Sequence, residues 1–185
     1  MHKIMSDLHQ DHVNLAKLLT LLAQQVEKLA AGDEVDLLLM SDIADYIRRY
    51  SDQIHHPKED EIYRVFRACS NEAGELVEAL LLEHQQLPDV TLDFQKALES
   101  VINDTAILTR QELHDQIVAF ISTQQAHLDA EEGGLFPLIN TTFQAADWAV
   151  VEQGIQEHAA DPLFGVHIMD RYRNLHQLMK ERQRA

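Results

Sequence analysis

Apolar residues recur along this chain at intervals of three and four, and strand-like alternation persists nowhere. Asp7 to Ala31 carries Leu8, Val13, Leu15, Leu18, Leu19, Leu22, Val26 and Leu29 as one helical stripe, which Gly32-Asp33 ends. Val35 to Ala68 follows, with Leu38, Ile43, Ile47, Ile54, Ile62, Val65 and Phe66 expected inward. Ser70-Asn71 makes a break with N-cap chemistry, and Glu72 and Glu75 fall in the next first turn. A third helix runs from about Glu72 towards Asp104. Pro88 should kink or split it just past His84, because proline lacks an N–H and crowds the preceding turn. A fourth helix begins near Thr109, with Glu112 completing a capping box, and Gly133-Gly134 should loosen or end it before Leu135-Phe136-Pro137. A shorter fifth helix starts at Asp147 and closes at Asp161-Pro162. The last, Val166 to Arg184, puts Ile168, Tyr172, Leu175 and Met179 on one stripe.

These elements predict an all-α fold, an antiparallel four-helix bundle with a two-helix C-terminal extension. Residues 1–143 would form the bundle, and residues 144–185 the extension, docked on the bundle or on a second subunit as a possible homodimer.

Composition narrows the function. The longest apolar runs, such as Leu37 to Met40 and Ala79 to Leu82, are far too short to span a bilayer, so no membrane partner is expected. Met1 to Asp11 is polar and mixed in charge, and Cys69 stands alone; a reducing, cytoplasmic setting is the expectation. A net charge of −16 argues against nucleic acid, which needs clustered Lys and Arg. Lys180, Arg182 and Arg184 gather at the end, where they would complement a helix dipole. With Cys69 outside the His-rich stretches and no Ser or Gly-rich motif, nucleophilic catalysis is poorly supported.

One pattern occurs twice. His12 is followed 43 residues later by His55, with Glu59 four residues beyond; His84 is followed 43 residues later by His127, with Glu131 four residues beyond. Positions i and i+4 of a helix lie about 40° apart and roughly 6 Å along the axis, so each His/Glu pair faces one way. Four such helices in a bundle would aim His12, His55, His84, His127, Glu59 and Glu131 at one interior point, a binuclear metal site. Taken singly, a His on an apolar stripe or one His-x-x-x-Glu pair is more often a satisfied interior residue; the repeated interval carries the metal reading. His2, His114, His158, His167 and His176 read as helix-surface or interhelix residues. His56 and Asp60, one position round from His55 and Glu59, are expected beside the ligands or facing solvent.

The wording around these residues also resembles the HHE cation-binding, or hemerythrin-like, domain. His55-His56-Pro57-Lys58-Glu59-Asp60-Glu61-Ile62 and His127-Leu128-Asp129-Ala130-Glu131-Glu132 are similar to its paired motifs, and Asp11-His12 and Glu83-His84 to its single-His positions. Ala146-Asp147-Trp148 and Asp161-Pro162-Leu163-Phe164-Gly165 are similar to the tail of many bacterial members. The resemblance implies a bundle holding two non-haem iron ions, with the four His as terminal ligands and Glu59 and Glu131 bridging. Manganese or zinc would suit the same donors.

The oxygen-carrying members have a second His four residues from the first on the third helix, where this chain has Leu80 and Pro88. Their last carboxylate is an Asp five residues after its His; here that position is Glu132, and internal symmetry favours Glu131. With four His and two bridging Glu, about two coordination positions would stay open, although His9 is placed to fill one. The leading expectation is a di-iron protein that binds, senses or reacts with oxygen, nitric oxide or peroxide. Iron handling comes second: ferrous oxidation, storage, or donation for iron–sulfur cluster repair. Repair proteins usually carry an N-terminal Cys-containing segment, and this chain starts directly at the bundle. A metal-free helical interaction module is the third possibility.

Overall fold

The computed structural model describes residues 1–105, 107–155 and 160–182, and among them it contains helices and no strands. Four rods make the bundle. The first is α1 (Lys3–Ala31), ended by Gly32 at φ 84, whose N–H reaches back to the carbonyls of Leu29 and Lys28. The second is α2 (Leu37–Tyr46), capped by the Asp36 carboxylate on the Leu39 N–H. It continues without interruption through a π-helical stretch (Ile47–His55) into α3 (His56–Cys69). The third is α4 (Gly74–Ile102). The fourth joins α5 (Arg110–Ala130), a π-helical turn (Glu131–Leu135) and α6 (Phe136–Thr142), and it opens on the expected Thr109–Glu112 capping box.

The elements differ from expectation in four places. Pro88 does not split α4, which stays helical from Gly74 to Ile102, so only the N–H that proline lacks is given up. Ser70 stabilises a turn by accepting the Glu72 N–H at 3.0 Å, and the helix itself starts later, past Ala73 in the left-handed region at φ 54. The fifth helix, α7 (Ala145–Gly154), stops well before Asp161-Pro162. The last starts later than Val166, as a 3-10 turn (Asp170–Tyr172) leading into α8 (Arg173–Arg182). His158 and Arg184 lie outside the described residues. Leu38 is 67% exposed rather than inward; the neighbouring Met40 takes the buried face.

The interior is layered. One apolar block contains Leu18, Leu22, Met40, Ile43, Ile117 and Phe120; the other contains Met5, Leu8, Ile62, Phe66, Leu80 and Leu135. Each rod crosses from one block to the other, and the duplicated His and Glu residues sit on the crossing. α1 passes from Leu8 through His12 to Leu15; the second rod passes from Ile47 through His55 and Glu59 to Ile62. The polar layer is therefore sealed between two hydrophobic plugs, where every charge loses its water.

α7 packs on α3 and adds Trp148 and Val151 to the second block, with the Trp148 ring stacked on His2 at 4.3 Å. The segment 161–182 folds back on α2. Asp161 accepts the N–H groups of Leu163 and Phe164 at 2.8 Å, and also the Tyr46 hydroxyl at 3.0 Å. Tyr172 donates its hydroxyl to Asp45 at 2.6 Å, and Arg171 pairs with Asp42 and Asp45 at 3.2 Å each. Among the described residues, no helix is long and apolar enough to cross a membrane.

Candidate metal centre

The polar layer is assembled from side chains that each helix presents by its own periodicity. His55 ends one π-helical stretch and Glu59 lies in the next α-turn; His127 lies in α5 and Glu131 opens the other π turn. Each His/Glu pair thus straddles a change of winding, a device concentrated at functional sites because it re-aims side chains without ending the helix.

The six duplicated residues all meet in this layer, and none is more than 6% exposed. Their imidazoles face one another in pairs. His12 Nε2 lies 2.9 Å from His55 Nε2, and His84 Nε2 lies 3.2 Å from His127 Nε2. The two carboxylates each reach both pairs. Glu59 Oε1 is 3.3 Å from His12 Nε2 and 3.1 Å from His55 Nε2, while its Oε2 is 3.6 Å from His84 Nε2. Glu131 Oε1 is 3.2 Å from His84 Nε2 and 3.4 Å from His127 Nε2, while its Oε2 is 3.3 Å from His12 Nε2. Two clusters of donor atoms result, sharing two carboxylates.

The outer nitrogens follow one rule. Every Nδ1 faces a carboxylate: His12 with Glu132 at 2.8 Å, His55 with Asp11 at 3.1 Å, His84 with Asp60 at 2.6 Å, and His127 with Glu83 at 2.8 Å. These acids sit beside the duplicated residues in sequence. Asp11 and Glu83 each precede a single His, and Asp60 and Glu132 each follow a Glu, so they extend the 72-residue repeat. The signal was present in the sequence as Asp-His, Glu-His, Glu-Asp and Glu-Glu, but adjacent helical positions point 100° apart, which hides their common purpose.

A carboxylate on Nδ1 fixes the imidazole tautomer and leaves Nε2 as a lone-pair donor, as metal-binding histidines require. Four Nε2 lone pairs then confront one another and two carboxylates. Both oxygens of Glu59, and Oε2 of Glu131, are buried without a hydrogen-bond donor. A cation satisfies such a set of acceptors. Without metal, protons serve. Burial pulls His12 down, but its hydrogen bond to Glu132 and the nearby Glu59 and Glu131 charges push it up to about 10. His84 is likewise held at about 10, burial being outweighed by Asp60 and Glu131. Glu59 is driven well below the ordinary carboxylate range: burial opposes this, and His55 and His12 overcome it.

Other residues singled out in the sequence have definite places. Glu131 occupies the centre, whereas Glu132 turns outward to His12 and His9. His9 is half exposed, bound to Glu132 at 3.0 Å, and stands on the outer side of His12, so it does not fill the gap beside His84. Leu80 is buried in the apolar block. His114 pairs with its neighbour Asp115 at the surface. His56, expected beside the ligands or facing solvent, is buried and stacked on His84 with centroids 4.4 Å apart and planes 8° apart. His56, Glu59, His84 and His127 bring donor atoms within 4.8 Å of one another, as do His12, His55 and Glu59. Even so, a metal lies in the plane of each imidazole that binds it, and two stacked, near-parallel planes share no such point. In this geometry His56 supports His84. Tyr63, unnoticed in the sequence, donates its hydroxyl to Glu131 Oε1 at 2.6 Å and aligns that carboxylate.

Besides a surface cavity lined by Asp60, the acid that holds His84, two others reach the centre. One, of about 330 Å³, is lined by Ile4, Asp7, Leu8, Asp11, Lys58 and Ile155, and so reaches the acid that holds His55. The other, of about 250 Å³, is lined by Glu83, Leu87, Val90, Thr123, Ala126 and His127 itself.

Compared with known proteins, residues 3–161 match the family model described as the hemerythrin HHE cation binding domain. No curated protein and no solved structure gives a match.

Proposed function

The chain belongs to the hemerythrin HHE cation-binding family, and on that premise we propose that it is a non-haem di-iron protein that binds, senses or reacts with oxygen, nitric oxide or peroxide. The observation that carries this reading is that Glu59 and Glu131 each reach both histidine pairs through different oxygens. Such carboxylates would hold two ions between them. His12 and His55 would hold one and His84 and His127 the other, with mixed nitrogen and oxygen donors suited to iron. When bound, the ions would supply redox and Lewis-acid chemistry.

The chain's own residues do the rest. Asp11, Asp60, Glu83 and Glu132 keep each imidazole in its binding tautomer, and Tyr63 holds Glu131 in its bridging orientation. The apolar blocks exclude water, so developing charge is stabilised by fixed groups rather than by solvent. Leu80, buried four residues before His84, and Pro88, four after it, supply no further ligand, which supports reactivity at an open position over reversible oxygen carriage. A small ligand would enter by the cavity that His127 lines.

The test is elemental analysis of protein prepared anaerobically with iron, followed by optical spectra on adding oxygen and, separately, nitric oxide. About two irons per chain and rapid oxidation in air are expected. A protein with no bound metal would end the di-iron reading, and an oxygenated spectrum reversible over many vacuum cycles would restore oxygen carriage.

A further inference from the structure

All four tyrosines of the chain are buried, and each donates its hydroxyl to a carboxylate: Tyr46 to Asp161, Tyr50 to Asp11, Tyr63 to Glu131 and Tyr172 to Asp45. Three of them form a ladder. The Tyr50 and Tyr46 rings stack with centroids 5.5 Å apart, and Tyr46 meets Tyr172 edge-on at 5.9 Å. The inner end touches the metal centre through one atom, Asp11 Oδ2, which accepts the Tyr50 hydroxyl at 3.0 Å and His55 Nδ1 at 3.1 Å. The outer end lies in the segment that folds back on α2. Phenylalanine would fill these volumes without a buried hydroxyl to satisfy, so packing alone does not account for the pattern.

A phenol is oxidised readily only if its proton leaves with its electron, and a hydrogen-bonded carboxylate is a ready acceptor for that proton. Electron tunnelling falls steeply with distance, so rings in contact exchange an electron far faster than isolated ones. We propose that Tyr50, Tyr46 and Tyr172 form an electron-supply path for peroxide reduction at the centre, moving the oxidising equivalent outward into the C-terminal segment. This rests on the di-iron reading above.

The step balances as follows. Hydrogen peroxide takes two electrons and two solvent protons, its O–O bond breaks, and two waters leave. One electron comes from a centre that holds one ferrous and one ferric ion, and leaves both ferric. The other comes from Tyr50, whose hydroxyl proton passes to Asp11 as the phenoxyl radical forms. Tyr46 then gives an electron to Tyr50 and its proton to Asp161, while Asp11 returns the proton to Tyr50. Tyr172 repeats the exchange with Tyr46, its proton going to Asp45. Tyr63 offers no such path, because His84 is its only ring neighbour among the described residues.

The experiment mixes the iron-loaded full chain, brought to one ferrous and one ferric ion per centre, with one equivalent of hydrogen peroxide. It is read by freeze-quench electron paramagnetic resonance and by mass-spectrometric mapping of spin-trapped tyrosines, with iron content measured on every sample. A phenoxyl signal is expected in the parent protein and in His114→Ala, a surface variant remote from the path. It should be lost in Tyr50→Phe at unchanged iron content, and Tyr46→Phe should confine adducts to Tyr50, so the test survives if one variant does not fold. Iron that is bound and oxidised with no phenoxyl signal would overturn the path and leave the di-iron reading standing. So would a signal that persists in Tyr50→Phe. Absence of bound iron would remove both.

Discussion

Asp60 accepts the Nδ1 proton of His84 at 2.6 Å, reaching from α3 to α4 at the outer edge of the buried centre. The acid next to Glu59 thus orients an imidazole of the other repeat, and Glu132, next to Glu131, does the same for His12 at 2.8 Å. The two halves of the repeat are interlocked: each supplies an outer acid to the other's single His.

Asp60→Asn keeps the shape of this contact but removes its charge. Iron affinity should fall by about 10- to 100-fold, the usual cost of losing a carboxylate behind a ligating histidine. Competition against a coloured chelator would measure it, with Asp129→Asn, a surface acid bonded to Gln125, as the control. Equal affinity in the two variants would mean that the outer acids do not tune the centre.

His56→Ala should separate support from ligation. Its ring is stacked on His84, so truncation opens a cavity and should cost on the order of 2 kcal/mol of stability. Iron content should stay near that of the parent, whereas Glu59→Ala and Glu131→Ala should lose most of theirs. His114→Ala should change neither quantity. Urea unfolding and elemental analysis read the two effects separately, and loss of one iron in His56→Ala would make it a ligand.

Metal loading should release protons. His12 and His84 are held at about 10 in the metal-free protein, against an ordinary value of 6.5. At neutral pH they carry protons that the metal must displace, about two per chain. The same shifts set the stability of the metal-free form. Because the folded values are raised, their contribution is complete below about 6.5 and is lost as pH rises through about 10. Glu59, shifted the other way, contributes above the ordinary carboxylate range and loses its contribution as pH falls. Calorimetric titration in two buffers of different ionisation enthalpy counts the protons. Identical heats in both buffers would contradict the charge state argued here.

Asp45 anchors the C-terminal segment. It accepts the Tyr172 hydroxyl at 2.6 Å and pairs with Arg171 at 3.2 Å and Arg49 at 3.0 Å. Burial tends to raise its pKa, but Tyr172 and the arginines hold it below the ordinary range. Asp45→Ala leaves the buried phenol without an acceptor and should cost about 1–3 kcal/mol. Limited proteolysis should then cut within residues 160–182 faster than in the parent, with iron content unchanged. Equal cleavage rates would show that Leu163, Leu175 and Met179 hold the segment by packing alone.

The sequence by itself determined the helices and the six inward residues, because both depend on local geometry. Leu15, Leu18 and Leu22 share a face with His12 by the period of one helix, and His55 lies over Glu59 for the same reason. Thr109 and Glu112 set a helix start through contacts three residues apart. What lay between helices needed the tertiary structure. That Asp60 serves His84 and Glu132 serves His12, that Glu131 rather than Glu132 faces inward, and that His56 stacks on His84 all depend on how each rod is turned about its axis. That rotation is set by the two apolar blocks and by the π-helical stretches at Ile47–His55 and Glu131–Leu135, which shift the phase of everything beyond them. Pro88 and the C-terminal segment make the same point. α4 runs on through its proline, and the last helix starts later than Val166, where Tyr172 and Arg171 meet Asp45 on α2, a contact more than 120 residues distant in sequence that no local pattern encodes.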